Sequence, residues 1–320
     1  MPAITIDSLR KEYGDAVAVD DLSLTVERGE VFGFLGPNGA GKSTTIDTLL
    51  GYVRPTAGTV TILGHDAVAE SRAIRQRVGV LPDGYALYER LTAREHLKLA
   101  ASFRAADDDP EAVLERVGLV DAADRRAGNF SKGMTQRLAL GMALVGDPDV
   151  LLFDEPSTGL DPTGVAELRR IVAEEAAGGT TVFFSSHDLA QVEATCDRVA
   201  ILGDGRLLAV DTVAGLRDRY GASVTLSIEA TPLPDSDVLG SIEGVRGVSL
   251  EDDRLVCRCR DAESKVRALR AVFDADVEVF DVDTESASLE DLFAASVGDD
   301  APPSASAPSA TVTAETGGTQ

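Results

Sequence analysis

Residues 36–44 read Gly-Pro-Asn-Gly-Ala-Gly-Lys-Ser-Thr, the pattern G-x-x-x-x-G-K-[ST]. A strand-like run, Glu30-Val31-Phe32-Gly33-Phe34-Leu35, precedes it, and a helix-like run over residues 43–50 follows. Strand, glycine loop and helix in that order point to an α/β fold. Gly36, Gly39 and Gly41 let the backbone curl until successive N–H groups face inward and form an anion nest. The next helix presents its positive end to the same anion. Lys42 can reach β- and γ-phosphates, and the Ser43 hydroxyl can ligate Mg²⁺. The candidate phosphate contacts are therefore Gly36, Pro37, Asn38, Gly39, Ala40, Gly41, Lys42, Ser43 and Thr44.

The loop fixes a nucleotide and not its chemistry. Residues 149–155, Asp-Val-Leu-Leu-Phe-Asp-Glu, read as a buried strand ending in two carboxylates. In open parallel sheets ligands gather at the carboxyl ends of the strands. Asp154 is thus placed to hold Mg²⁺ through water, and Glu155 to polarise an attacking water. Phe130-Ser131-Lys132-Gly133-Met134 opens an amphipathic run with apolar members Leu138, Leu140, Met142, Leu144 and Val145. Ser131 is a good N-cap, and a helix N-terminus is also an anion site. From the residues alone, an ordinary cap and a phosphate contact read equally. His187 follows the apolar run Val182-Phe-Phe-Ser-Ser, and a neutral ring there donates one hydrogen to phosphate and accepts at the other nitrogen. His65 and His96 lack such context and read as structural or solvent-facing.

With these motifs in this order, residues 1 to about 220 resemble the ATP-binding-cassette ATPases. The resemblance implies that Tyr13, in Lys-Glu-Tyr-Gly, stacks on adenine. It makes Asp154 the magnesium aspartate, Glu155 the catalytic glutamate and His187 a γ-phosphate contact. Phe130 to Met134 matches the family signature, usually Leu-Ser-Gly-Gly-Gln, so that Ser131 and Gly133 close over ATP held by a second subunit. Ser157-Thr-Gly-Leu-Asp161 matches the loop that crosses the dimer interface. Two positions depart from the pattern. Lys132 and Met134 stand where Gly and Gln are common. Asp83, in Gly79-Val-Leu-Pro-Asp83, stands where the family has a glutamine that senses Mg²⁺. An aspartate binds the ion more tightly but reaches less far, which implies contact through water.

The resemblance implies an α/β P-loop ATPase domain over residues 1–221, with a helical subdomain inserted at about 82–145. Thr92-Ala-Arg-Glu95 is a capping box within it, and residues 92–103 are its clearest helix. Tyr85, Leu87, Tyr88 and Leu91 cluster beside Asp83 as either a partner patch or buried packing. Residues 222–297 alternate like a small α+β domain, with strands at Val224-Thr-Leu-Ser-Ile, Leu255-Val-Cys-Arg-Cys and Val277-Glu-Val-Phe and a helix over 263–273. This part resembles the C-terminal extension of ATPases that drive drug, antibiotic and sodium exporters, closing with Leu289-Glu-Asp-Leu-Phe293. Residues 298–320 lack the apolar surface to offset ordering entropy and read as a disordered tail.

Composition excludes some classes. No stretch approaches the ~18 continuous apolar residues of a membrane span, so a channel must be a separate permease polypeptide. Cys196, Cys257 and Cys259 make an odd count without a secretory signal, which argues against a disulfide framework. The pair 257 and 259 reads as core packing on one strand face. The net charge is −24, from 54 acidic and 30 basic residues, which repels nucleic acid. That excess implies adaptation to a salt-rich cytoplasm, such as that of a halophilic archaeon, where screening shortens the repulsion. The sum is an ATP- and Mg²⁺-dependent subunit, dimeric, cytoplasmic and peripheral on the inner membrane face through its permease, with export preferred over import. The rivals are a non-transport ATPase of the same family and a phosphoryl-transfer kinase, which leaves the Ser131 motif unexplained.

Overall fold

The computed structural model describes residues 1–187, 189–219, 224–234, 236–251, 254–260, 262–275 and 277–286. In chain order the elements begin with β1 (Ile4–Tyr13), β2 (Ala16–Val26), β3 (Val31–Leu35), α1 (Lys42–Leu49), β4 (Ala57–Ile62), β5 (His65–Asp66), α2 (Ser71–Arg77) and β6 (Val78–Leu81). They continue with α3 (Ala93–Arg104), α4 (Pro110–Arg116), α5 (Lys132–Leu144), β7 (Val150–Asp154), α6 (Pro162–Ala177), β8 (Thr181–Ser186), α7 (Leu189–Glu193), β9 (Arg198–Gly203), β10 (Arg206–Thr212) and α8 (Val213–Arg219). The C-terminal elements are β11 (Val224–Thr231), α9 (Ser236–Gly240), β12 (Val245–Glu251), β13 (Arg254–Cys259), α10 (Ala262–Phe273) and β14 (Glu278–Ser286).

Every residue of β3, β7 and β8 is buried, as the continuous apolar runs require. These strands form the middle of a sheet ordered β10-β9-β3-β8-β7-β6, in which β9, β3, β8, β7 and β6 run parallel. Alternation sends successive side chains to opposite faces. Phe32, Phe34, Leu152 and Phe183 face a core shared with β1, β2 and α1. Leu35, Leu151, Phe153 and Phe184 face a core shared with α5 and α6. Phe153 is fully buried, so truncation to Ala costs about 3–5 kcal/mol. The first face is covered by an antiparallel sheet ordered β2-β1-β4-β5.

Register sets the functional edge. Leu35 pairs with Ser186 and Asp154 with Ser185, so β3, β7 and β8 end level with one another. The loop after β3, the turn after β7 and His187 after β8 are thereby delivered to one edge.

The helical region opens with the capping box: Thr92 accepts from Glu95 N, and Glu95 Oε2 accepts from Thr92 N at 2.8 Å. The Arg104 guanidinium ends α3 by donating to the carbonyls of Ala143, Val145 and Val78. Burial pulls its pKa down. At Gly79 in β6 a Cβ would lie 2.2 Å from the Ala143 carbonyl oxygen, so α5 packs directly on the β6 backbone. The third sheet, ordered β12-β13-β11-β14, is covered by α9 and α10 and buries Leu226, Ile228, Leu255, Cys257 and Cys259.

β1 and β2 form an antiparallel ribbon with bulges that runs up to the Tyr13 turn. Several sequence expectations change. From Leu138 onward α5 is buried on nearly all sides, including Ala139, Gly141 and Ala143, so it is a core helix and not an amphipathic one. Strand β12 and helix α9 were not anticipated. Asp188, the Leu289-Glu-Asp-Leu-Phe293 element and residues 298–320 lie outside the described residues.

Candidate functional site

The glycine loop leaves β3 and enters α1 through Gly41, whose φ is +98°. A Cβ there would lie 2.5 Å from the Ala18 carbonyl oxygen, so the turn admits only glycine. Ala40 N donates to the Pro37 carbonyl and closes the loop. Lys42, the first residue of α1, is buried and donates from Nζ to the Gly36 carbonyl at 2.7 Å.

Asp154 and Glu155 follow from β7. Asp154 is buried, and its Oδ1 accepts from Ser185 Oγ at 2.5 Å. The same hydroxyl accepts from Glu155 N at 3.1 Å, while the Ser185 carbonyl accepts from Glu155 N at 3.2 Å. Glu155 needs this support: its φ is +48°, a left-handed conformation that costs a non-glycine residue about 1–2 kcal/mol. Asp47 on α1 lies near enough for Asp154, together with its own burial, to push its carboxyl above the usual range; burial is the larger cause.

The Glu155 carboxylate is shared. Its Oε2 accepts from His187 Nδ1 at 2.7 Å. Its Oε1 is 3.5 Å from Lys42 Nζ and has no hydrogen-bond partner among the described residues. At that distance the attraction is about 5 kcal/mol at an effective dielectric of ~20, before desolvation is subtracted. Because a carboxylate only accepts, Nδ1 of His187 carries the hydrogen. A neutral ring then offers Nε2 as an acceptor, the reverse of what a phosphate oxygen wants. His187 donates to phosphate only by turning from Glu155 or with hydrogen on both nitrogens.

Tyr13, Pro37, Asn38, Gly39, Gly41, Lys42, Ser43, Thr44, Asp83 and Glu155 line one cleft of about 370 Å³. Gly36 and Ala40 are buried behind it. Tyr13 ends β1 half exposed, with the Lys11 ammonium 4.7 Å from its ring centroid. That leaves one ring face for a second aromatic. Ser131, Gly133 and Asp161 do not line this cleft. Ser131 caps α5 by accepting from Met134 N at 3.2 Å. Asp161 caps α6 by accepting from Gly164 N at 2.8 Å. A phosphate in the cleft meets Lys42 and not Ser131 of the same chain.

Sequence reasoning missed Ser185, whose only signal was a hydroxyl at the end of an apolar strand. Of the two readings of His96, structural or solvent-facing, the structure shows the first: it is buried, Nδ1 donates to the Thr92 carbonyl at 2.8 Å, and Nε2 accepts from Tyr88 N at 3.0 Å. The apolar cluster before it divides. Tyr85 and Leu87 pack against the core, whereas Tyr88 is exposed.

Residues 19–158 match the profile of the ABC transporter family. The daunorubicin resistance ATP-binding protein DrrA3 of Streptomyces coeruleorubidus is 36% identical over 310 residues, covering 93% of this chain and 96% of that protein. The chain belongs to the ABC transporter ATP-binding family. The linearmycin resistance ATP-binding protein LnrL of Bacillus subtilis is a second full-length relative of this ABC protein, 32% identical over 90% of the chain and 96% of the relative. The bacitracin transport ATP-binding protein BcrA of Bacillus licheniformis is 41% identical over 64% of the chain and 68% of its own length. Among solved structures, an ATP-binding subunit of an ABC transporter matches with a TM-score of 0.64 and 32% identity, covering 68% of this chain and 93% of that one. A dimeric post-hydrolysis ATP-binding cassette bound to ADP and Pi shares the fold at a TM-score of 0.61 and 24% identity, covering 66% and 98%. The ABC ATPase fold and ATP hydrolysis follow for this chain. Among the described residues no helix is long and apolar enough to cross a membrane.

Proposed function

We propose that this ABC ATPase works as a dimer that sandwiches two ATP molecules and drives a separate membrane permease in export. The observation that carries the reading is the division of the site. Lys42, Glu155 and His187 converge within one chain, while the Ser131 cap stands apart from their cleft. A second copy, turned head to tail, brings its own Ser131 and Gly133 over the γ-phosphate, and its loop through Asp161 beside them. Daunorubicin and linearmycin resistance among the full-length relatives supports export.

The mechanism starts from the Lys42–Glu155 contact. The phosphates of ATP carry several negative charges against one on Glu155, so they draw the Lys42 ammonium toward themselves. The adenine stacks on the free face of Tyr13. Glu155 Oε1, released from Lys42, accepts a hydrogen from water and directs that water onto the γ-phosphate. Lys42, the loop N–H groups and His187 stabilise the charge that develops on the phosphate oxygens. The donor set fits magnesium: the Ser43 hydroxyl in the cleft and the Asp154 carboxylate at the end of β7 are hard oxygen donors, and a magnesium site completed by phosphate oxygens needs only one or two from protein. Ser43 and Asp154 would hold the ion, with Asp83 reaching it through water. Once bound, it neutralises phosphate charge.

For the permease, a groove of about 540 Å³ is lined by Tyr52, Arg72, Arg75, Tyr85, Tyr88 and Phe103, among others. Tyr52, Tyr88 and Phe103 are 61%, 64% and 78% exposed. Exposed aromatics beside two arginines suit a partner segment and are otherwise costly to leave in water. We assign residues 1–221 to the ATPase domain, about 82–145 to its helical part and 222–297 to an accessory domain. The working location is the inner membrane face, through the permease, in a salt-rich cytoplasm consistent with the net charge of −24. Affinity purification from membranes tests the reading: a protein with about six apolar spans comes down with the chain. Recovery of the ATPase from the soluble fraction alone, with no membrane protein, favours a non-transport ATPase instead.

A further inference from the structure

The turn that carries Glu155 is supported from two sides. On one side Ser185 accepts from Glu155 N, as described. On the other, Gln136 on α5 donates from Nε2 to the Pro156 carbonyl at 2.7 Å. Pro156 is the next residue after Glu155, and Glu155 holds a left-handed φ of +48°. A carbonyl can only accept, so the amide orientation of Gln136 is fixed by this bond. Gln136 is half-buried, and its amide has no role in the core that α5 builds from Leu138 onward.

The bond sits within a wider contact between the start of α5 and residues 156–161. The Lys132 stem lies along Gly159, where a Cβ would approach Lys132 Cδ to 2.5 Å. Arg137 Nη2 is 3.7 Å from Asp161 Oδ1. Of these contacts, only the Gln136 bond reaches the residue adjoining Glu155. Ser131, the N-cap of α5, lies five residues before Gln136, less than two turns away.

We infer that Gln136 is a positioning residue for hydrolysis: its amide holds the Glu155 turn in register with the start of α5, so each subunit's Ser131 helix sets the aim of that subunit's own base. The inference rests on Glu155 being the group that orients the attacking water. Without the amide donor the Pro156 carbonyl turns toward water, and the left-handed turn keeps its Ser185 support and the bond from Thr158 N to the Glu155 carbonyl but loses its tie to α5. Nucleotide affinity is untouched, since Gln136 does not line the cleft.

The test uses the full chain. Gln136→Met keeps the length and removes the donor. Gln136→Lys restores an N–H donor on a flexible stem. Gln136→Glu sets an acceptor against an acceptor. ATPase rates are normalised to sites that bind a fluorescent ATP analogue, so loss of folded protein does not register. The expected result is a kcat about tenfold lower for Met and Glu, KM within about twofold, and Lys back to within about threefold of wild type. A Met variant with wild-type kcat overturns the inference, and so does a Lys variant as slow as Met. Glu155→Gln is run beside them: if it also turns over at the wild-type rate, the reading of Glu155 itself fails, and not the role of Gln136 alone.

Discussion

Replacing Ser185 by Ala removes one hydroxyl from a buried strand end, and two groups of the site feel it. Ser185 Oγ donates to the Asp154 carboxylate at 2.5 Å and accepts from Glu155 N at 3.1 Å. The first is a hydrogen bond to a charged group in a buried setting, worth about 1.5–3 kcal/mol. The second loss is smaller, because Glu155 N keeps the Ser185 carbonyl at 3.2 Å. Ala leaves no steric problem, so the expected destabilisation is about 2–3 kcal/mol, or a Tm lower by about 5–10 °C for a domain of this size. Turnover falls as well. If the Glu155 turn loses about 1 kcal/mol of positioning, kcat drops about fivefold, with ATP affinity little changed. Thermal unfolding followed by circular dichroism and steady-state ATPase assays at saturating Mg-ATP measure both. Ser185→Cys, a weak donor, falls between wild type and Ala. An Ala variant with an unchanged Tm and an unchanged kcat refutes the argument that this hydroxyl braces the two carboxylates.

Three further outcomes follow from named residues. Burial and Asp154 raise the Asp47 carboxyl above its usual range, so the fold disfavours its ionised form. Stability is therefore lost as pH rises through the carboxylate range, and Asp47→Asn gains on wild type from about pH 4 upward, while the two converge in acid; urea midpoints at several pH values measure this, and a gain confined to acid contradicts it. Tyr88 is exposed, so Tyr88→Glu changes stability by less than about 0.5 kcal/mol and keeps basal ATPase activity, yet loses the co-purifying membrane protein; retained co-purification refutes docking at this face. With a net charge of −24, Tm rises as KCl goes from about 0.1 M to 1 M, where the Debye length shortens from about 10 to 3 Å; a flat Tm removes the salt-rich reading.

The parts of the fold written in sequence are those where one local pattern decides. The apolar runs of β3, β7 and β8 can only be interior strands, and the glycine loop and the capping box at Thr92 each carry their own geometry. In the ribbon of β1 and β2, positive φ at Ser8 and Asp21 marks bulges that break period two and that no local sequence pattern announces. Strand β12 was missed for a similar reason: Arg246 and Gly247 interrupt its alternation, and only pairing with β13 orders it. Within the site, Lys42, Asp154 and Glu155 were legible from motifs. Ser185 and Gln136 were not, because each acts through a partner 20 to 31 residues away, and nothing in the local sequence names that partner. The hydrogen on His187 Nδ1 likewise depends on where Glu155 lies in space.

The central claim is that the chemistry needs a loop from one copy and a Ser131 helix from the other. A Lys42→Met chain and a Ser131→Arg chain each form homodimers in which both sites are damaged. Mixed dimers concentrate both lesions in one site and leave the other whole. ATPase activity measured on the mixture, against each variant alone, should therefore rise well above their sum. A mixture no more active than that sum, with mixed dimers present by mass, contradicts the shared site.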